Sequence, residues 1–271
     1  MNQVDHPFIW KLKAIGTEAG PSLLWLHGFM GSGRDWQVLA DQYFPDHHNI
    51  LVDLPGHGTS ILTQPIDFHN SLDLLVSQLA RKGVEKFIPV GYSMGGRLAF
   101  HLQYLFPHMI PALILLSSAP GMREGPEKQL RRLADEHLAA RIQDMGWSQF
   151  LIDWYSADLF GNIAKDAKIF MELKRSRAKN DMEQLTRSLR LMGNGTLESR
   201  WDSLAKIDSP TLLLTGALDR KYCELNQDIK RQIRTCHHEE IPLCGHAFHI
   251  EKPLETAQLI RHFLSEITEG D

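Results

Sequence analysis

Short apolar runs that end in small or turn-forming residues recur along the first 121 residues. Ser22–Gly28 (SLLWLHG), Asn49–Gly56 (NILVDLPG), Lys86–Ser93 (KFIPVGYS) and Ala112–Gly121 (ALILLSSAPG) are of this kind. Runs of this length, bounded by Gly and Pro, predict strands buried on both faces. Between them, Asp35–Tyr43, Phe68–Lys82 and Met94–Phe106 carry apolar residues at helical spacing, which predicts amphipathic helices. Strand alternating with helix pairs the strands in parallel through right-handed crossovers, giving an open sheet covered on both faces. The rhythm returns late in the chain, with strands expected over Thr211–Asp219 and His238–His246 and helices over Cys223–Arg234 and Leu254–Ile267. There is no internal repeat.

From Met122 to Arg200 the rhythm stops. This stretch is helical in composition, contains no strand-like run and is dense in charge. It holds 14 Lys+Arg and 12 Asp+Glu, although the whole chain has 29 and 33. It is therefore locally positive on a negative body. A helical insertion after a sheet strand predicts a lid over the strand ends, where open α/β sheets bind ligands. The expected organisation is a core of residues 1–121 and 201–271 with a helical lid over 122–200.

Composition narrows the class. Hydrophobic residues make up 43% of the 271 and charged residues 23%, with a formal net charge of -4. That supplies a core and offers no global basic field for nucleic acid or an anionic membrane. No apolar run approaches the ~18 residues of a membrane span. The first residues, MNQVDHPFIWKLKAIG, show no basic region followed by an apolar stretch, so secretion is not expected. Cys223, Cys236 and Cys244 are odd in number and lack C-x-x-C spacing, as expected of reduced thiols in the cytoplasm.

Gly91-Tyr92-Ser93-Met94-Gly95 is a G-x-S-x-G pentapeptide lying between an expected strand and an expected helix. That context arms a serine nucleophile on a sharp turn. A serine hydroxyl becomes reactive when an imidazole takes its proton, and the imidazole needs an acid to fix its tautomer. Among 14 histidines, His246 follows a strand and precedes the last helix, where its ring can project over the strand ends; His249 is its main competitor. Asp219 ends the run LLLTGALD on the same edge of the sheet. The order Ser93, Asp219, His246 is that of triads carried on loops at strand ends. An oxyanion hole is expected from the backbone amides of Met94 and Phe29. His27 and His57 are expected to stabilise turns, and no histidine–carboxylate group has metal-site spacing.

The motifs LHGFMGSGRDW, VDLPGHGTS, GYSMGG, TGALD and GHAFHIEKP together resemble the α/β-hydrolase superfamily. The resemblance implies a mostly parallel sheet flanked by helices, with a helical lid insertion.

Residues that the triad does not require carry the substrate information. Arg97 lies about one turn into the helix that Ser93 begins, so its side chain can bend back toward the pocket. The expected lid adds Arg131-Arg132, the run Lys174-Arg175-Ser176-Arg177, and the amphipathic Trp154 and Tyr155. Guanidinium forks bind carboxylates in bidentate fashion, so arginines converging on one cavity suit a substrate with two or three carboxylates. The same residues are similar to a narrower family, the 2-succinyl-6-hydroxy-2,4-cyclohexadiene-1-carboxylate synthases of menaquinone and phylloquinone synthesis. By position that resemblance implies substrate contacts from Tyr92, Arg97, Trp154, Arg131 (exchangeable with Arg132) and Arg175. It also implies elimination of pyruvate from a small-molecule tricarboxylate, without metal or organic cofactor. No nucleic acid, no stable membrane association and a monomer or small homo-oligomer are expected. The competing activity is a serine carboxylesterase or C–C bond hydrolase using the same triad.

Overall fold

The computed structural model describes residues 8–17 and 21–269. Seven strands form one sheet: β1 (Lys11–Gly16), β2 (Ser22–Leu26), β3 (His48–Asp53), β4 (Phe87–Tyr92), β5 (Leu113–Leu116), β6 (Thr211–Gly216) and β7 (Cys236–Ile241). Their order in space is β1-β3-β2-β4-β5-β6-β7. The β1–β3 pair is antiparallel and every other pair is parallel. Every residue of β2, β4, β5 and β6 is buried, as apolar runs covered on both faces require.

Helices α1 (Gln37–Tyr43), α2 (Phe68–Arg81) and α3 (Met94–Leu105) follow β2, β3 and β4. Between β5 and β6 come α4 (Pro126–Met145), α5 (Trp147–Tyr155), α6 (Ala167–Arg177) and α7 (Met182–Met192), with no strand among them. After β6 follow α8 (Arg220–Lys230), the short α9 (Phe248–Glu251) and α10 (Pro253–Glu269). Among the described residues no helix is long and apolar enough to cross a membrane.

The α/β sheet expected from the hydrophobic rhythm is observed with one addition, and its last two strands end earlier than expected, at Gly216 and Ile241 rather than Asp219 and His246. The rhythm passes over β1, an edge strand in which only Leu12 and Ile15 are half-buried while Lys11 and Lys13 face outward. An edge strand edged with lysine is protected against wrong pairing, and for the same reason it carries little hydrophobic signal. Residues 1–7 of the N-terminal stretch, and Gly270 and Asp271, lie outside the described residues.

Strand order places the site. β2 leads on to β3 on one side, and the chain then returns to β4 on the other, so the order reverses between β2 and β4. Open α/β sheets bind ligands at such a switch point, outside the carboxyl ends of the strands. Phe29 follows β2 and Ser93 follows β4 at that point, with α4 to α7 contributing the facing wall.

Candidate active site

The turn from β4 into α3 forces Ser93 to φ 50°, ψ -107°. A non-glycine residue at positive φ is strained and persists only where the surroundings over-determine it. Here the Ser93 amide donates to Leu116 O at 2.9 Å, and the Ser93 carbonyl accepts from Ser118 Oγ at 2.9 Å. The flanking glycines are required by space. A Cβ on Gly91 would lie 2.6 Å from Gly96 Cα, and one on Gly95 would overlap Leu26 O.

His246 Nδ1 donates to Asp219 Oδ2 at 2.6 Å, and Ser93 Oγ lies 2.9 Å from His246 Nε2. The carboxylate holds the proton on Nδ1, which leaves Nε2 free to accept from Ser93. Asp219 and His246 are 2% and 3% exposed, so water competes little for these bonds. Asp219 also caps α8, accepting from the Tyr222 amide at 3.4 Å. The His246 amide donates to Leu159 O at 2.9 Å, which ties the imidazole-bearing loop to the helical insertion. His249 lies elsewhere, packed between Tyr92 (ring centroids 4.2 Å) and Trp36 (4.8 Å), and burial lowers its pKa to about 3.

Phe29 and Met94 both line the cavity that holds Ser93 and His246. Among the described residues neither backbone amide donates to another group of the chain, so both can serve a developing oxyanion. His27 and His57 act on the turns behind them. Leu54 N donates to His27 Nε2 at 3.0 Å, and Met30 N donates to His57 Nε2 at 3.1 Å. Both imidazoles therefore work as neutral acceptors. Burial lowers His27 to about 4 and His57 well below its ordinary value.

Three arginines line the same cavity: Arg97, Arg131 and Arg177. Arg131 Nε donates to Asp135 Oδ1 at 2.7 Å. Arg177 donates to Asp35 Oδ1 at 2.7 Å through Nη1 and to the Tyr155 hydroxyl at 3.1 Å through Nε. Burial pulls the Arg177 guanidinium down in pKa, and Asp35 and Tyr155 more than reverse this, so its charge is secure. Arg97 is different. It is 7% exposed, its buried Nε has no partner, and among the described residues it makes no ion pair. Burial lowers its pKa, Arg131 adds to that, and the hydroxyl of Tyr222 and the carboxylate of Asp135 oppose it. Of the three arginines, Arg97 is the one with no carboxylate partner among the described residues.

The chain is similar to known proteins over nearly its whole length. A Bacillus subtilis (strain 168) protein named "Putative 2-succinyl-6-hydroxy-2,4-cyclohexadiene-1-carboxylate synthase" is 33% identical over 93% of this chain and 93% of its own. A Serratia proteamaculans (strain 568) protein with the same synthase name is 30% identical over 94% of this chain and 97% of its own. A solved structure of MenH from S. aureus superposes with a TM-score of 0.88 at 28% identity, covering 96% of this chain and 99% of that one. The alpha/beta hydrolase family model matches residues 23–259. The chain belongs to the α/β-hydrolase family, and within it to the family of these synthases.

In this α/β hydrolase the remaining expected contacts divide. Tyr92 and Trp154 line the cavity. Trp154 lies edge-on to Phe29 at 5.7 Å, and burial raises the Tyr92 phenol well above its ordinary pKa. Arg131 faces the cavity, whereas Arg132 is exposed. Arg175 is a correction: it is exposed and does not line the cavity, and Arg177 takes the place expected of it. The reason is helical phase. Leu173 and Arg177, four apart, form the buried face of α6, and Arg175 lies about 200° round the helix from each. Phasing the run on Leu173 would have selected Arg177. Asn194 and Tyr222 also line the cavity without having been singled out. Asn194 stands in no charged or aromatic motif and Tyr222 is a single aromatic in the charged stretch Asp219–Glu224, so only tertiary contact reveals them. Among the described residues no group of three or more His, Cys, Asp or Glu is placed to hold a metal ion.

Proposed function

We propose that the chain is a carbon–oxygen lyase that eliminates pyruvate from 2-succinyl-5-enolpyruvyl-6-hydroxy-3-cyclohexene-1-carboxylate, giving 2-succinyl-6-hydroxy-2,4-cyclohexadiene-1-carboxylate. The carrying observation is Arg97, a buried cation with no ion pair among the described residues, on the helix that begins after Ser93. A neutral ester has no use for it, whereas a substrate with three carboxylates does.

The chemistry follows from the geometry. His246 draws the proton from Ser93, whose oxygen takes the ring proton next to the succinyl ketone. Negative charge moves to the ketone oxygen, where the Phe29 and Met94 amides stabilise the enolate. Collapse of the enolate forms the C2=C3 bond of the ring, shifts the existing C3=C4 double bond to C4=C5 and expels the ether oxygen from C5, which gives the diene. The departing enolpyruvate recovers the proton from His246 and tautomerises to pyruvate. Arg97, Arg131 and Arg177 hold the carboxylates, so orientation supplies much of the rate. Proton transfer itself contributes about 10²–10⁴-fold. Residues 122–200 act as the lid of a core made of 1–121 and 201–271. The enzyme is cytoplasmic, in keeping with its three free cysteines, and takes a small-molecule tricarboxylate rather than nucleic acid.

The test mixes purified protein with the adduct that the preceding enzyme makes from isochorismate and 2-oxoglutarate, and follows pyruvate with lactate dehydrogenase. Acceleration over spontaneous loss, abolished in Ser93→Ala, is expected. No acceleration sinks the reading. No pyruvate release, together with p-nitrophenyl ester hydrolysis that depends on Ser93 and is kept in Arg97→Ala, would instead make the chain a carboxylesterase.

A further inference from the structure

The cavity at Ser93 has a volume of about 130 Å³, well under the ~300–1,000 Å³ of sites that enclose ligands of comparable size. A cyclohexene ring bearing a carboxylate, a succinyl chain and an enolpyruvyl ether outgrows it. A second cavity of about 700 Å³ lies behind Arg97, and the two share four lining residues, Arg97, Arg131, Asn194 and Tyr222. Arg97 is therefore a partition with a cavity on each side. The outer rim of the second cavity carries exposed charges of both signs, whereas its inner end, at Arg97 and Arg131, is cationic. Ala119 and Leu225, both half-buried, stand in its walls and do not line the Ser93 cavity.

We propose that the chamber behind Arg97 is a second substrate subsite, which takes an acyl arm ending in a carboxylate, with Tyr222 and Asn194 forming the neck between the chambers. For the identity of the arm, the terminal carboxylate of the succinyl group, this rests on the lyase reading. With the ketone oxygen at the Phe29 and Met94 amides, the ring and the enolpyruvyl group stay at Ser93. The succinyl arm is a flexible methylene chain and can turn through the neck. Tyr222 fixes one side of that neck, its ring packed on His246 with centroids 4.7 Å apart. A carboxylate arriving behind Arg97 supplies the counter-charge that the fold withholds, and a buried charge-assisted pair is worth more than an exposed one. Ala119 and Leu225 then set the arm length that fits.

The experiment uses two stable probes, 4-oxo-4-phenylbutanoate, which has the ring, ketone and carboxylate arm, and butyrophenone, which lacks the carboxylate. Calorimetric titration of the whole protein is expected to show the first binding at least tenfold more tightly. Leu225→Trp and Ala119→Leu fill the chamber from opposite walls. Each is expected to weaken the carboxylate probe at least fivefold, to leave butyrophenone within twofold, and to raise KM for the full substrate more than it lowers kcat. Equal affinity of the two probes for the wild type overturns the subsite. So does either variant that melts like the wild type and binds the carboxylate probe within twofold of it. Pyruvate release without sensitivity to these variants defeats the subsite and leaves the lyase reading. Probe discrimination without pyruvate release defeats the lyase reading and leaves a carboxylate-arm subsite.

Discussion

Replacing Arg97 by methionine should make the protein more stable and less active at once. The side chain is 7% exposed and its Nε has no hydrogen-bond partner, whereas Arg131 and Arg177 each hold a carboxylate at 2.7 Å. A buried polar group left unsatisfied costs about 1–3 kcal/mol, and a charge costs more. Methionine keeps the length and the apolar stem and removes the charge, so unfolding free energy should rise by about 1–3 kcal/mol. At ~2–4 °C per kcal/mol for a chain of this size, Tm should rise by roughly 2–12 °C. The same change removes a desolvated contact to a substrate carboxylate, worth about 2–4 kcal/mol. That corresponds to a fall of roughly 30- to 1,000-fold in kcat/KM. Thermal melts without ligand and coupled pyruvate release measure the two effects. An unreactive tricarboxylate should raise the wild-type Tm by mass action and, at the same concentration, raise that of Arg97→Met much less. A lowered Tm with unchanged kcat/KM would refute the reasoning, because the guanidinium would then be a structural bond.

Asp219→Asn should cut kcat by about 10⁴, as in other Ser-His-Asp sites, because an amide facing His246 Nδ1 moves the ring proton to Nε2; single-turnover pyruvate release checks it. Arg177→Ala should destabilise by about 3–5 kcal/mol through the stranded Asp35, and Asp35→Ala added to it should recover stability in urea melts without recovering activity. Arg175→Ala, by contrast, should leave kcat/KM within about twofold, since that side chain is exposed. His27 and His249 are neutral in the fold, with pKa values lowered by burial to about 4 and about 3. Unfolded histidines protonate near 6.5, so below that pH the unfolded state binds more protons and stability falls. His27 alone should remove up to ~3 kcal/mol between pH 6.5 and 4. Urea midpoints at pH 7, 6 and 5 should decline in that order, and a flat series would refute buried neutral imidazoles.

The residue pattern alone determined the parallel core, because β2, β4, β5 and β6 are apolar on both faces and hydrophobicity of that kind is written locally. It also carried Ser93, Asp219 and His246, since each stands where a strand gives way to a loop and the turn chemistry marks the place. β1 escaped because an edge strand buries almost nothing. Charge was less legible than hydrophobicity. Arg97 could be placed from its distance to Ser93, but the run Lys174-Arg175-Ser176-Arg177 offers cations in every direction, and only the packing of Leu173 decides that Arg177 faces inward. Whether an arginine is paired depends on residues far away in sequence, Asp35 lying 142 positions from Arg177. That Arg97 has no such partner among the described residues, and that a chamber lies behind it, emerge only once the fold has brought α3, α4 and α8 around one pocket.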